Sequence, residues 1–153
     1  MTLIEAKGKL IKRSRVLALA TVAGLLLVLL VSSEMSNAQV TKGKERPLTT
    51  KQWMQAVHKV HCGAIKEGLE AGPSDDDAWA KIALHAAMMN ESSYVLMADG
   101  RCPDGDWAGA CKQLGEGSAG VLSAVENKDA EAGLAAFGAM TKSCGACHSV
   151  HKK

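Results

Sequence analysis

Two thiols and an imidazole stand together at Cys144-Gly145-Ala146-Cys147-His148. On a helix, cysteines three residues apart lie on one face. Each can form a thioether to one of the two vinyl groups of haem, and the imidazole one residue further on reaches the iron from the same side. This is the spacing of c-type haem attachment. One covalent haem c is therefore expected on Cys144 and Cys147, with His148 as the proximal iron ligand. Other chemistries fit less well. A thioredoxin-like redox pair needs a βαβ setting, and no strand-like run surrounds the motif. A structural zinc needs four ligands, usually as two spaced pairs, and Cys144, Cys147 and His148 supply only part of such a set.

The start of the chain reads as a targeting segment. Lys7, Lys9, Lys12, Arg13 and Arg15 form a basic region, and residues 16–31 are apolar apart from Thr21 and Gly24. Ser36-Asn37-Ala38 then offers small residues at the −3 and −1 positions of a cleavage site. The apolar run is shorter than the roughly 20 residues of a comfortable transmembrane helix. Residues 1–38 are expected to be a cleaved signal peptide; the alternative is an uncleaved anchor through residues 16–31, which would add membrane contact. Both readings deliver the remainder outside the cytoplasm, to a periplasmic or equivalent compartment, where c-type haem is normally attached.

The leader also carries the apparent basicity. The whole chain has a formal charge of +2, but from Gln39 onward thirteen Lys and Arg face fourteen Asp and Glu. No basic face or set of stacking aromatics remains, so nucleic acid is not an expected partner. Residues 39–153 suffice for one domain with one core. Aromatics are few (Trp53, Trp79, Trp107, Tyr94, Phe137), while Ala and Gly are abundant.

Four helices must position the motif. Residues 39–48 read as a polar linker ending near Pro47. Thr49 or Thr50 caps a first helix running to about Leu69 or Ala71, with Trp53, Val57, Val60 and Ala64 at helical spacing. Gly72-Pro73-Ser74 breaks it. A second helix begins at Ser74–Asp77, buries Ile82, Ala86, Met89, Ser93 and Leu96, and ends at Asp99-Gly100. A third runs from about Asp106 to Glu126 on Trp107, Ala110, Leu114, Ser118, Val121 and Val125. Its interior glycines (Gly109, Gly115, Gly117, Gly120) each cost about 1 kcal/mol relative to Ala, which weakens the case for a continuous helix. A fourth runs from Asp129 to about Val150, with Leu134, Phe137, Met140, Cys144 and Cys147 or His148 facing inward. With no strand signal or repeat, the expected fold is all-α: an up-down-up-down four-helix bundle.

In such a bundle the start of the first helix lies beside the end of the fourth. Met54, His58 and His61 follow one another at spacings of four and three, on one helical face, and Cys62 falls on the same side. Any second axial ligand is expected from this group.

Residues 49–153 resemble the cytochrome c-prime family, four-helix c-type cytochromes that attach haem near the end of the last helix. The family signature continues C-x-x-C-H with an aromatic and a basic residue; here those positions hold His151 and Lys152. The resemblance implies that Lys152 pairs with a haem propionate and that Gln55, which matches a Gln opening the family's first helix, contributes to the pocket. Met54 stands where the family often has Arg. This alignment points to His58 as the distal ligand, ahead of His61 and then Met54. The resemblance also leaves a homodimer through the first two helices open.

Two imidazole ligands would give a low-spin iron of lower potential than a His/Met pair. The expected job is then one-electron transfer to redox partner proteins, not catalysis. The rival is an open or displaceable distal site that binds nitric oxide or carbon monoxide, and a helical interaction domain without cofactor is a third reading. Cys62, Cys102 and Cys111 remain. Cys102 and Cys111 flank the loop between the second and third helices and are expected to form a disulfide, with Cys62 as the alternative partner of either. Arg101, Lys112 and Lys142 join Lys152 as propionate candidates. His85, Met88, Met89 and Met140 are not expected to be ligands.

Overall fold

Four capped helices make up the domain in a computed structural model that describes residues 42–152. The expected leader (1–38), the first residues of the linker and Lys153 lie outside the described residues. The first helix, α1, is continuous through three segments: Thr50–Trp53, a π-helical turn Met54–His58, and Lys59–Glu70. It is followed by α2 (Asp76–Met97), α3 (Gly105–Glu126) and α4 (Ala130–His151). Among the described residues there is no strand, only a single antiparallel bridge between Lys42 and Thr49. No described helix is long and apolar enough to cross a membrane.

Each helix starts on a side chain that satisfies its free N–H groups. Thr49 and Gln52 form a reciprocal capping box at α1. Asp75, Asp104 and Asp129 accept from the backbone N–H of Ala78, Trp107 and Ala132 at 2.8, 2.9 and 2.9 Å. Their negative charge also complements the helix dipoles.

The helices pack on their chain neighbours, and α1 closes the ring against α4. Side-chain pairs fix the directions. Trp53 meets Ser92 and His61 meets His85 between α1 and α2. Asn90 meets Gly115 between α2 and α3. Gly117 faces Met140 between α3 and α4, and Gly133 faces Leu69 between α4 and α1. All four pairings run antiparallel, giving the up-down-up-down order. The core is built from Ile65, Leu69, Trp79, Ile82, Met89, Trp107, Leu114, Val121 and Met140, with smaller residues between them.

The inner faces expected for α2 and α3 are the buried ones. α3 is unbroken despite its glycines, because several are needed for close packing. A Cβ at Gly117 would lie 2.6 Å from the Met140 Cα, and one at Gly120 would lie 3.2 Å from the Ala136 Cβ. Tertiary contact thus offsets the weak helix propensity.

α1 departs from expectation. The Lys59 N–H bonds to the Met54 carbonyl, five residues back, so one turn holds an extra residue. The inner face shifts register at that point. Val57 and His58 are buried, then Ile65 and Leu69, whereas Val60 is 54% exposed. In α4, Leu134 is also on the exposed side, and Met140, Ser143, Cys147 and His151 are buried.

The linker is not free. Lys44 N–H donates to the Asp99 carbonyl, and the Glu45 and Arg46 N–H groups donate to the Asp99 carboxylate at 2.8 and 3.1 Å. Asp99 and Gly100 both have positive φ, 62° and 73°, which turns this carboxylate back onto the segment. Arg101, 1% exposed, donates to the Leu48 carbonyl at 2.8 Å and pins the same segment from beneath.

Candidate functional site

The antiparallel closure of α1 on α4 brings the ends of the domain together around a cavity of about 240 Å³. Cys144, Cys147, His148 and Ser143 line it from α4, and Met54, His58, Lys59 and Cys62 line it from α1. Leu96, Ala110, Cys111 and Leu114 form the floor, and one side opens to solvent. The π turn shapes the α1 wall. With five residues in that turn, Met54 and Lys59 both come onto the face that carries His58 and Cys62.

The three candidate ligands from α1 are separated by their contacts. His58 is 8% exposed and lines the cavity; its Nε2 lies 2.6 Å from Ser92 Oγ. Ser92, fully buried, also accepts from Trp53 Nε1 at 2.7 Å. Met54 lines the cavity as well. His61 is outside its lining and turns towards α2, where its Nδ1 lies 2.8 Å from His85 Nδ1. The expected single face of Met54, His58 and His61 is therefore corrected: His61 lies at its edge.

The pocket candidates chosen by resemblance lie elsewhere. Gln55 is exposed and outside the lining. Lys152 is exposed past the end of α4, where its N–H bonds to the His148 carbonyl. Lys112 pairs with Glu116 on the surface at 2.7 Å. Arg101 is taken up by the linker. The cation at the cavity is Lys59, which the α-helical spacing hides because its place depends on the π turn. Ser92 was equally hidden, since only the α1–α2 packing assigns it a partner.

His151 occupies the signature's aromatic position and behaves as a ring there. It is 3% exposed and meets Trp107 edge-on, with centroids 5.3 Å apart. Its Nε2 also lies 3.4 Å from Asp104 Oδ1, tying the last turn of α4 to the cap of α3.

The thiols differ in character. The expected Cys102–Cys111 disulfide is not formed: Cys62, Cys102, Cys111, Cys144 and Cys147 are all free thiols. The Cys102 thiol donates instead to the Asp104 carbonyl at 3.4 Å. Burial, with the neighbouring Cys147 and Cys102, pushes Cys111 up to about 12. Burial and the nearby Cys144 push Cys147 up to about 11. Cys144 goes the other way. Hydrogen bonds from the Cys62 thiol and from His58 hold it well below the ordinary thiol range, and Cys62, the donor, is raised in turn. The two thiols of the motif are thus shifted in opposite directions, Cys144 down and Cys147 up.

This arrangement suits the expected haem. Two thiols and an imidazole share one wall, an imidazole and a thioether face them, and the intervening lining is apolar. The volume is below the roughly 300–1,000 Å³ of common cofactor pockets, so part of a bound macrocycle would remain outside through the open side. No protein-family model, curated protein or solved structure matches this chain.

Proposed function

We propose that the protein is an exported c-type cytochrome of the cytochrome c-prime kind that carries electrons one at a time to redox partner proteins. Cys144 and Cys147 would hold one haem c, His148 would be its proximal ligand and His58 its distal one. Bound there, the haem supplies a one-electron couple. The chain's own residues supply the rest. Leu96, Ala110 and Leu114 exclude water from the cavity floor. Ser92 gives His58 a hydrogen-bond partner when its ring is not on the iron. Lys59 offers a positive charge at the wall for a carboxylate. Cys62 and His58 hold Cys144 below the ordinary thiol range, which favours the more nucleophilic thiolate for thioether formation.

One observation carries this reading: Cys144, Cys147 and His148 line the same cavity as His58, from opposite helices. The leader read in residues 1–38 agrees with it, since export and haem attachment belong together. Expression of the full chain with a haem-attachment system should give coloured protein whose haem survives denaturing electrophoresis. Cys144→Ser with Cys147→Ser should abolish this. Colourless wild-type protein would refute the proposal and favour a cofactor-free interaction domain.

A second reading, reversible binding of nitric oxide or carbon monoxide, is favoured by the 2.6 Å contact between His58 and Ser92. A distal histidine with a hydroxyl partner at hand can leave the iron and still be satisfied. The absorption spectrum of the reduced protein with and without carbon monoxide distinguishes a fixed carrier from a displaceable site.

A further inference from the structure

Outside the cavity, α1 and α2 present a second pair of nitrogen ligands. His61 and His85 meet Nδ1 to Nδ1 at 2.8 Å, with ring centroids 5.0 Å apart and planes inclined at 46°. Both rings are half-buried and so remain within reach of solvent. Each sits mid-helix, His61 in Lys59–Glu70 and His85 in Asp76–Met97, so the backbone positions are fixed by the bundle.

We propose that His61 and His85 form a two-point site for a divalent transition metal of the copper(II) or nickel(II) class, bound through both Nδ1 atoms with water in the remaining positions. The 2.8 Å separation is that of the hydrogen bond between the rings, and it puts both Nδ1 atoms within reach of one ion. Imidazole donors suit copper(II) and nickel(II), and copper(II) stands at the top of the divalent affinity order. The ring torsions are soft, so each imidazole can swing its lone pair towards a common point without moving a helix.

Protonation favours the same outcome. Burial first, then the neighbouring His85 and His58, hold His61 below the ordinary histidine range, which favours the neutral ring that a metal needs. In the hydrogen-bonded pair one Nδ1–H donates to the other Nδ1. The donor ring only has to move that proton to Nε2, and two neutral rings then bind the cation with no net proton loss. No group of three or more His, Cys, Asp or Glu suited to a metal exists among the described residues, so the affinity comes from these two ligands alone. The site does not depend on what the cavity holds.

The test is calorimetric titration of the purified full chain with copper(II), its free thiols first blocked with iodoacetamide. One equivalent should bind, with copper(II) held more tightly than zinc(II). The bound copper should show two-nitrogen coupling in its paramagnetic resonance spectrum. His61→Gln and His85→Gln, made separately, should each weaken binding by about tenfold or more, since even outer-shell changes at metal sites cost that much. Circular dichroism should show unchanged helicity; if one variant loses it, the other carries the test. Copper affinity unchanged in a folded variant, or zinc preferred to copper, would overturn the proposal.

Discussion

His58 Nε2 sits 2.6 Å from Ser92 Oγ, and that one hydroxyl also accepts from Trp53 Nε1. Ser92 therefore serves two polar groups of α1 from a site with no solvent access. Ser92→Ala leaves both without this partner, and a buried group left unsatisfied costs about 1–3 kcal/mol. Chemical unfolding of the haem-free chain should show a loss of that size. In the haem-loaded protein the same change removes the partner that a released His58 would find. Carbon monoxide binding to the reduced form should weaken by about 2- to 10-fold, the equivalent of one ordinary hydrogen bond.

The two glycines Gly117 and Gly109 make a controlled contrast within α3. A Cβ at Gly117 meets the Met140 backbone at 2.6 Å, whereas one at Gly109 meets nothing within 4 Å. Gly117→Ala should destabilise the fold by about 1–3 kcal/mol through forced separation of α3 and α4. Gly109→Ala should stabilise it by about 0.5–1 kcal/mol, because only the helix propensity changes. Paired denaturant melts measure both signs.

The linker should undock in acid. Desolvation acts to raise Asp99, but the Glu45 and Arg46 N–H groups, with Arg46 and Arg101, outweigh it and hold the carboxyl below its ordinary value. A carboxyl depressed in the folded state contributes stability above its unfolded pKa, and that contribution is lost as pH falls through the folded value. Protection of the Glu45 and Arg46 amides from hydrogen exchange should therefore persist through neutral pH and vanish only below the usual carboxylate range. Asp99→Asn should remove much of that protection at neutral pH; full protection in that variant would contradict the role given to the charge.

Thiol reactivity should follow the pairing of Cys62 with Cys144. In the haem-free chain at about pH 6, where an ordinary thiol is protonated, iodoacetamide should label Cys144 ahead of Cys111 and Cys147. Removing the donor with Cys62→Ala should slow that labelling. Mass spectrometry of peptides after timed quenching gives the order directly.

The readable parts of the sequence were those governed by local rules. The buried stripes of α2 and α3 followed the helical period, and the breaks at Gly72-Pro73 and Asp99-Gly100 followed backbone chemistry. That Cys144, Cys147 and His148 face the start of α1 follows from antiparallel neighbours, whereas the choice of His58 there rests on the family alignment. A period of 3.6 cannot anticipate the π turn at Met54–His58, which turns Val60 out to solvent and brings Lys59 to the cavity. The place of His61 is set by His85 on another helix, which spacing along α1 does not show. Gln55 and Lys152 came from the family signature, and a signature carries no account of which side chains this particular bundle turns outward.

The closure of α1 on α4 also bears on the order of events during folding. The contacts within α2, α3 and α4 link chain neighbours, whereas the α1–α4 seam joins residues about as far apart as the domain allows and is the thinnest of the four helix–helix seams. Contacts of long sequence separation form late, because their loop entropy must be overcome first. A covalent group taken up at Cys144 and Cys147 while that seam is still open would have free access to both thiols. Subsequent arrival of Met54 and His58 would then shut the last seam over it, so that such a group would be enclosed by the final step of assembly.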